Sequence, residues 1–256
     1  PAVTAISIVT VVYNNKDTIR DCIDSVLSQK HARIEHIIID GCSTDGTVEI
    51  IRSYGNKIGM FVSEPDKGVY DAMNKGIKLS TGDIIATLNS DDVYADETVV
   101  AQMAEFIQEN GLDAAYGDIV YVGRHDAKRL SRYWKAGEYK RGKFCHGWAI
   151  PHPTFFCRKE IFEQYGYFHA EFQVAADFEL MLRFIERHQI KVGYLPRVLV
   201  RMRAAGKANL WPGIIRGNWE IVRSFRLNGL RLSPWFFIRK PMMKISQLFA
   251  RPIRDE

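Results

Sequence analysis

Cysteine is scarce in this chain of 256 residues: Cys22, Cys42, Cys145 and Cys157, with no CxxC pair and no zinc spacing. A secreted disulfide scaffold is excluded as a leading reading, and the thiols are expected to be reduced, in a cytoplasmic protein. Long apolar runs are missing as well. No stretch reaches the ~18–20 residues of a membrane span. The apolar segment at 6–12 is too short for a signal sequence before it meets Tyr13-Asn14-Asn15-Lys16. Glycine is absent from the first forty residues, Gly41 being the first. The turn after the first expected strand therefore lacks the glycines with which dinucleotide-binding and Walker loops approach phosphate. The same lack counts against a nucleotidyltransferase that wraps a triphosphate in a Gly-rich first loop.

What is present is an ordinary globular composition, 46% apolar and 25% charged. A chain of this length suits one large domain or a domain with an appendage. The net charge of +5 is unevenly spread. Residues 196–256 hold thirteen Lys/Arg against Glu220, Asp255 and Glu256, a net of +10, which leaves the first 195 residues at −5. An acidic body and a basic tail point to chemistry in the one and attachment to something anionic through the other.

Periodicity organises the body. Continuous β-branched runs at 6–12 and 34–40 read as buried strands, with further strands expected at 58–63 and 83–88. Helical spacing recurs between them at 17–29, 44–54 (Ser43 or Thr44 as N-cap), 69–79 and 97–108. Four strand–helix alternations argue for an α/β fold, a mostly parallel sheet flanked by helices, with ligands beyond the carboxyl ends of its strands. Later come strands at 114–122 and 129–134 joined by a turn, a stretch at 135–151 with the composition of a mobile loop, and a short strand at 154–157. A strong helix at 176–187 and a closing strand at 190–195 complete the body. The expected division is a body at 1–195, in halves 1–110 and 111–195, and a tail at 196–256.

The strand ends carry the chemistry. The first ends at Tyr13-Asn14-Asn15, the second at Asp40, the fourth at Asn89-Ser90-Asp91-Asp92. Two adjacent carboxylates repel unless a cation or hydrogen-bond donors lie between them. A hard divalent cation would serve, since it takes one or two carboxylates and fills its shell with phosphate oxygens. The same four residues are also good turn chemistry, with Asp92 or Asp96 as a helix cap.

Five motifs in order now resemble a known family, the inverting glycosyltransferases of the GT-A fold, family-two group. They are SIVTVVYNN (7–15), IDGCSTDGT (39–47), EPDKGVYDAMNKG (64–76), STGDIIATLNSDD (80–92) and ADFELMLR (176–183). The resemblance implies a Rossmann-like GT-A body that binds a nucleoside-diphosphate sugar, foremost a UDP-sugar, with GDP or dTDP as alternatives. It implies Val11 and Tyr13 at the base, Asp40 near the uracil, and Asp66, Lys67 and Asp71 in the loop that meets base and phosphate. It places Asp91 toward the ribose and Asp92 on Mg²⁺ or Mn²⁺ at the diphosphate, with Asp91 beside it. Asp177 matches the catalytic base, and His152 falls where the donor or acceptor pocket is lined. Two positions depart from the pattern. Gly41 stands where many members have a second acid, and Asn89 replaces the first acid of the DxD-type element. A lone Asp at a helix start is otherwise a common cap, so Asp177 rests on the resemblance. Besides an enzyme, a non-catalytic nucleotide-sugar-binding scaffold would keep this fold.

The tail adds Trp, Phe and Ile among Arg and Lys at 210–227 and 235–250, with Pro241 interrupting the second stretch. That is the composition of an interfacial helix on anionic lipid. Packing on the body is the competing reading, and no nucleic-acid motif accompanies the charge. A lipid-linked saccharide acceptor, as in bacterial surface-polysaccharide assembly, and a peripheral place on the inner face of the membrane would follow.

Overall fold

The computed structural model describes residues 4–31, 33–123, 130–203 and 211–249. Strands β1 (Ile6–Val12) and β2 (Ile34–Asp40) form where expected, because runs of Ile and Val with few interruptions suit a sheet covered on both faces. Helix α1 (Ile19–Leu27) follows β1 and buries Ile19, Cys22, Ile23 and Val26. Helix α2 is shorter than expected, Thr47–Arg52, and begins at Gly46 without a side-chain cap. Asp45 takes up that turn by accepting from the Thr47 amide and hydroxyl, so neither Ser43 nor Thr44 caps. Then come β3 (Met60–Ser63), α3 (Val69–Leu79), β4 (Ile84–Thr87), the two-residue β5 (Val93–Tyr94) and α4 (Val99–Glu109). In the second half are β6 (Ala114–Val122), β7 (Leu130–Trp134), β8 (Phe156–Arg158), α5 (Lys159–Tyr165) and α6 (Ala176–Met181). Helix α6 widens into a π-helix over Leu182–Arg187.

The sheet has nine strands in the order β3-β2-β1-β4-β8-β6-β9-β5, with β7 paired to β6. Its first four strands are parallel. The β8 strand runs antiparallel to both β4 and β6, so the sheet is mixed rather than mostly parallel. Strand β9 (Val192–Arg203) lies parallel to β6 along most of that strand. It runs eight residues past the expected body boundary, so Arg197, Arg201 and Arg203, counted with the tail by charge, belong to the sheet.

Two further expectations are corrected. The stretch at 135–151, irregular as expected, is anchored rather than solvated: Phe144 is fully buried and stacks edge-on against Trp148, whose indole N–H donates to the Ala136 carbonyl at 2.7 Å. The tail packs on the body along one face of each helix. Helix α7 (Trp211–Leu227) buries Ile221 and Phe225, and α8 (Phe236–Phe249) buries Phe236 against Phe178 and Phe225. Helix α8 continues through Pro241 instead of breaking there. The opposite faces of both helices are open to solvent, with Ile215, Trp219, Trp235, Ile238 and Met242 all more than half exposed. The expected turn at 123–126 lies, beyond Gly123, outside the described residues, as do residues 250–256 of the tail.

Candidate active site

The carboxyl ends of β1, β2 and β4 gather one set of candidates. Register pairs Val12 with Asp40, and the Gly41 amide donates to the Val12 carbonyl at 3.0 Å. Asp40 is fully buried, held by the Ser43 amide (3.0 Å), the Ser43 hydroxyl and the Ser63 hydroxyl (2.6 Å). It therefore braces the second loop from within, with none of its own surface exposed. The Tyr13 ring is open to solvent, as a stacking platform for a base requires, while Val11 is buried and can offer only backbone. Gly41 explains itself: a Cβ there would lie 2.5 Å from Asp66 Oδ2 and 3.4 Å from the Tyr13 ring. The Asp66 carboxylate occupies the room that a second acid at position 41 would fill.

The loop that brings Asp66 is locally ordered. Its Oδ1 accepts from the Gly68 amide at 2.8 Å, and Asp71 Oδ2 accepts from the Lys67 amide at 3.0 Å. Asp71 thus shapes the loop from the first turn of α3, while the Lys67 side chain is exposed. Asn14 and Asn15 are scaffolding: Asn14 Oδ1 accepts from the Thr44 amide, and Asn15 Nδ2 donates to Ser90 Oγ at 2.9 Å, tying the β1 tip to the β4 tip.

Asp91 and Asp92 part company. Asp92 is 1% exposed, with Oδ2 accepting from Asn89 Nδ2 (3.0 Å) and Oδ1 from the Arg203 amide (3.2 Å). Burial, and secondarily the Asp91 charge, raise its pKa to about 8. Each of its oxygens accepts one protein donor and almost none of its surface is exposed, whereas the expectation is that it holds the metal. Asp91 remains partly exposed. Arg203, missed from sequence, braces this turn: its guanidinium donates to the Asp91 carbonyl at 2.9 Å and pairs with Asp21. Its partners lie about a hundred residues or more away in sequence, so no local signal marked it.

Among the described residues, no three His, Cys, Asp or Glu side chains converge as a complete protein metal site. Such a site is unnecessary for a magnesium-type ion, which takes one or two carboxylates and completes its shell with substrate phosphate and water. Asp91, with the carboxyl group of Asp92 behind it, fits that donor set.

A cavity of about 180 Å³ opens beside this turn, bounded by Asn89, Trp134, Ile150, His152, Asp177 and Met202 among others. His152 Nε2 lies 2.9 Å from Thr87 Oγ1, and its ring meets Phe168 edge-on. Burial lowers its pKa, against the opposing pull of Asp177, so it is a neutral imidazole at pH 7. Asp177 is in the first turn of α6, partly exposed, with Oδ1 accepting from the Phe178 amide at 2.8 Å and from the Tyr70 hydroxyl at 3.2 Å. Burial and the Asp177 charge keep the Tyr70 phenol protonated, so it remains a donor. Tyr70 lies within the 64–76 motif, where residue type alone does not mark it as a partner of Asp177. Glu179 is fully buried and bound to Arg183 and Asn228, which removes it as a rival to Asp177.

Carboxylates at parallel strand ends, a further carboxylate across a cavity and an α/β sheet make the arrangement that the resemblance of the five motifs implies. Residues 7–166 match Glycosyl transferase family 2, and the chain belongs to that family. It is 32% identical over 180 residues to an uncharacterized glycosyltransferase of Mycobacterium tuberculosis, covering 70% of this chain and 68% of that one. Over 204 residues it is 27% identical to a PGL/p-HBAD biosynthesis glycosyltransferase of Mycobacterium bovis, with 78% and 77% covered. Among solved structures, S. aureus TarS in complex with UDP-GlcNAc superposes with a TM-score of 0.69 at 18% identity, over 95% of this chain and 71% of that one. The mannosyltransferase PcManGT of Pyrobaculum calidifontis, in complex with GDP-Man and Mn²⁺, gives 0.67 at 18% identity, with 96% and 70% covered. These two likenesses establish the fold.

Proposed function

We propose that this glycosyltransferase moves a sugar from a nucleoside-diphosphate donor to an acceptor hydroxyl with inversion, Asp177 acting as base. The observation that carries the reading is that Asp177 and His152 share one cavity with Asn89, two residues before Asp91. The nucleotide lies over Tyr13, Gly41 and Asp66, its base against the exposed Tyr13 ring. Asp91 would hold a divalent Mg²⁺ or Mn²⁺ ion, which would supply positive charge against the departing diphosphate. Asp177 takes the acceptor proton as that oxygen attacks the anomeric carbon from the face opposite the diphosphate, so the C–O bond to phosphate breaks as the new one forms. Tyr70, whose one proton is shared between the Val174 carbonyl and Asp177 Oδ1, lies on the Oδ1 side and leaves Oδ2 for the acceptor. UDP is the first choice of nucleotide, and GDP or dTDP are the alternatives. Relatives named for PGL/p-HBAD and teichuronic acid biosynthesis support an acceptor in surface-glycan or glycolipid assembly.

The outward stripes of α7 and α8 support peripheral attachment at the inner face of the membrane. Ile215 and Trp219 lie one turn apart, as do Ile238 and Met242, with Arg216, Arg226 and Arg239 exposed beside them. Among the described residues no helix is long and apolar enough to cross a membrane.

The first test is a thermal-shift panel of UDP-, GDP- and dTDP-sugars, each with and without Mn²⁺. One nucleotide should raise the Tm in a metal-dependent way. No shift with any donor would remove the donor site as drawn. Sedimentation with vesicles containing anionic phosphatidylglycerol tests the tail: the protein should pellet, and Trp219→Glu should release it. Protein that stays in the supernatant would end the membrane reading.

A further inference from the structure

Helix α6 carries the candidate base but has no cap of its own: Ala175 is its N-cap residue and offers no side-chain acceptor. The three amides that lead into it, of Gln173, Val174 and Ala175, nevertheless all have an acceptor. Glu220 Oε1 takes the Gln173 amide at 2.9 Å, and Oε2 takes those of Val174 (2.9 Å) and Ala175 (2.8 Å). Glu220 is on α7, 45 residues from Ala175, and is 3% exposed. Burying a carboxylate is costly unless donors replace its water, and here three amides do so.

The other side of the same segment is held too. The Tyr70 hydroxyl is 2.9 Å from the Val174 carbonyl and 3.2 Å from Asp177 Oδ1. The Val174 peptide is therefore fixed through its N–H by Glu220 and through its C=O by Tyr70. Around it, Arg216 donates to Gln173, Arg223 pairs with Glu171 at 2.6 Å, and a Cβ on Gly217 would meet Val174 Cγ1 at 3.2 Å. A negative charge before a helix N-terminus also complements its dipole.

We propose that Glu220 is a positioning residue for Asp177: α7 completes the active site by fixing the 173–175 backbone that aims the base. The inference rests on the reading of Asp177 as base. It makes the C-terminal helices part of the catalytic apparatus, whatever the outer face of α7 binds.

The test measures kcat per nucleotide-binding site, with site number from donor titration, in four variants of the full chain. Glu220→Gln should lower kcat at least tenfold while donor KM stays within twofold and binding remains one per chain. Gly217→Ala keeps Glu220 and substitutes a better helix former, so its Tm should hold or rise, yet kcat should fall severalfold because Val174 is pushed. Ile221→Val, a core change on the same helix, should lower Tm and leave kcat per site near wild type. That split separates positioning from loss of folded protein, and Gly217→Ala decides the matter if Glu220→Gln does not fold. Wild-type kcat per site in Glu220→Gln or in Gly217→Ala, with Asp177→Asn inactive, overturns the positioning role alone. Turnover retained by Asp177→Asn removes the base reading and the positioning role with it.

Discussion

In the half of the molecule that ends at Asp92, each candidate but Asp71, in the first turn of α3, lies in or directly beyond a strand end or in the next loop. The second and third loops are held in part by near neighbours: Ser43 holds Asp40 from three residues away, and Asp71 holds Lys67 from four, while the β4 turn leans on the remote Arg203. In the half that begins at Ala114, the candidate base depends on distant chain. Tyr70 reaches Asp177 across 107 residues, and Glu220 reaches Ala175 across 45. Parallel strands with short connections deliver their tips together as a consequence of the sheet itself. A base on a helix that follows a long irregular stretch has no such guarantee, and other elements must aim it. The difference separates two kinds of damage: changes in the first half should weaken donor binding, whereas changes in the second should slow transfer by bound donor.

The sharpest test of that division is Asp177→Asn. General-base removal costs ~10²–10⁴-fold, so kcat should fall about a thousandfold. Donor affinity, measured by titration with the nucleotide sugar, should be unchanged, because this side chain bonds to the Phe178 amide and the Tyr70 hydroxyl, neither of which is assigned to the donor. A large loss of donor affinity would break the comparison by showing that the halves share their ligand contacts.

Asp91 and Asp92 divide the first half internally. Asp91→Asn should reduce metal-dependent donor affinity on the order of 100-fold, as loss of a direct ligand. Asp92→Asn should cost ~10-fold, as loss of a group behind the ligand. Titration of donor at several Mn²⁺ concentrations checks both. The reverse order would return the metal to Asp92 and mean that its bonds to Asn89 and the Arg203 amide break when donor binds.

How far these assignments were legible follows from the same contrast. Strands β1, β2 and β6 and helix α3 were readable to the residue, since a buried strand or amphipathic helix writes its periodicity locally. Strand β9 was cut short because basic residues alternate with apolar ones from Arg197 to Arg203 and so read as tail. The 135–151 stretch looked solvated by its Gly, Lys and His content, yet Phe144 and Trp148 turn inward. Which of two adjacent acids is buried was not readable, because Arg203 holds Asp92 from 111 residues away. Glu220 was invisible for another reason: its partners are backbone amides, which leave no mark on residue type. The candidate base could be placed by family resemblance, but what aims it could not.

The smallest effect concerns the core beneath the strand tips. His36 on β2 is 2% exposed, its Nε2 lies 3.0 Å from Thr10 Oγ1, and its Nδ1 has no hydrogen-bond partner. Burial lowers its pKa to about 3. Between that value and the ~6.5 of an unfolded histidine, the unfolded chain binds a proton that the native one refuses. Stability from this group is thus complete above pH 6.5 and lost as pH falls, at a limiting ~1.4 kcal/mol per pH unit, or about 2 kcal/mol by pH 5. His152, in the other half, is a poorer probe, because the Asp177 charge opposes its burial. Carboxylates with raised pKa, such as Asp118, oppose the trend in the whole protein, so the measurement has to be a difference. The Tm gap between wild type and His36→Gln should be widest near pH 7 and narrow toward pH 5. A gap that stays constant would mean that the imidazole is protonated in place, and that the core under the strand tips admits water.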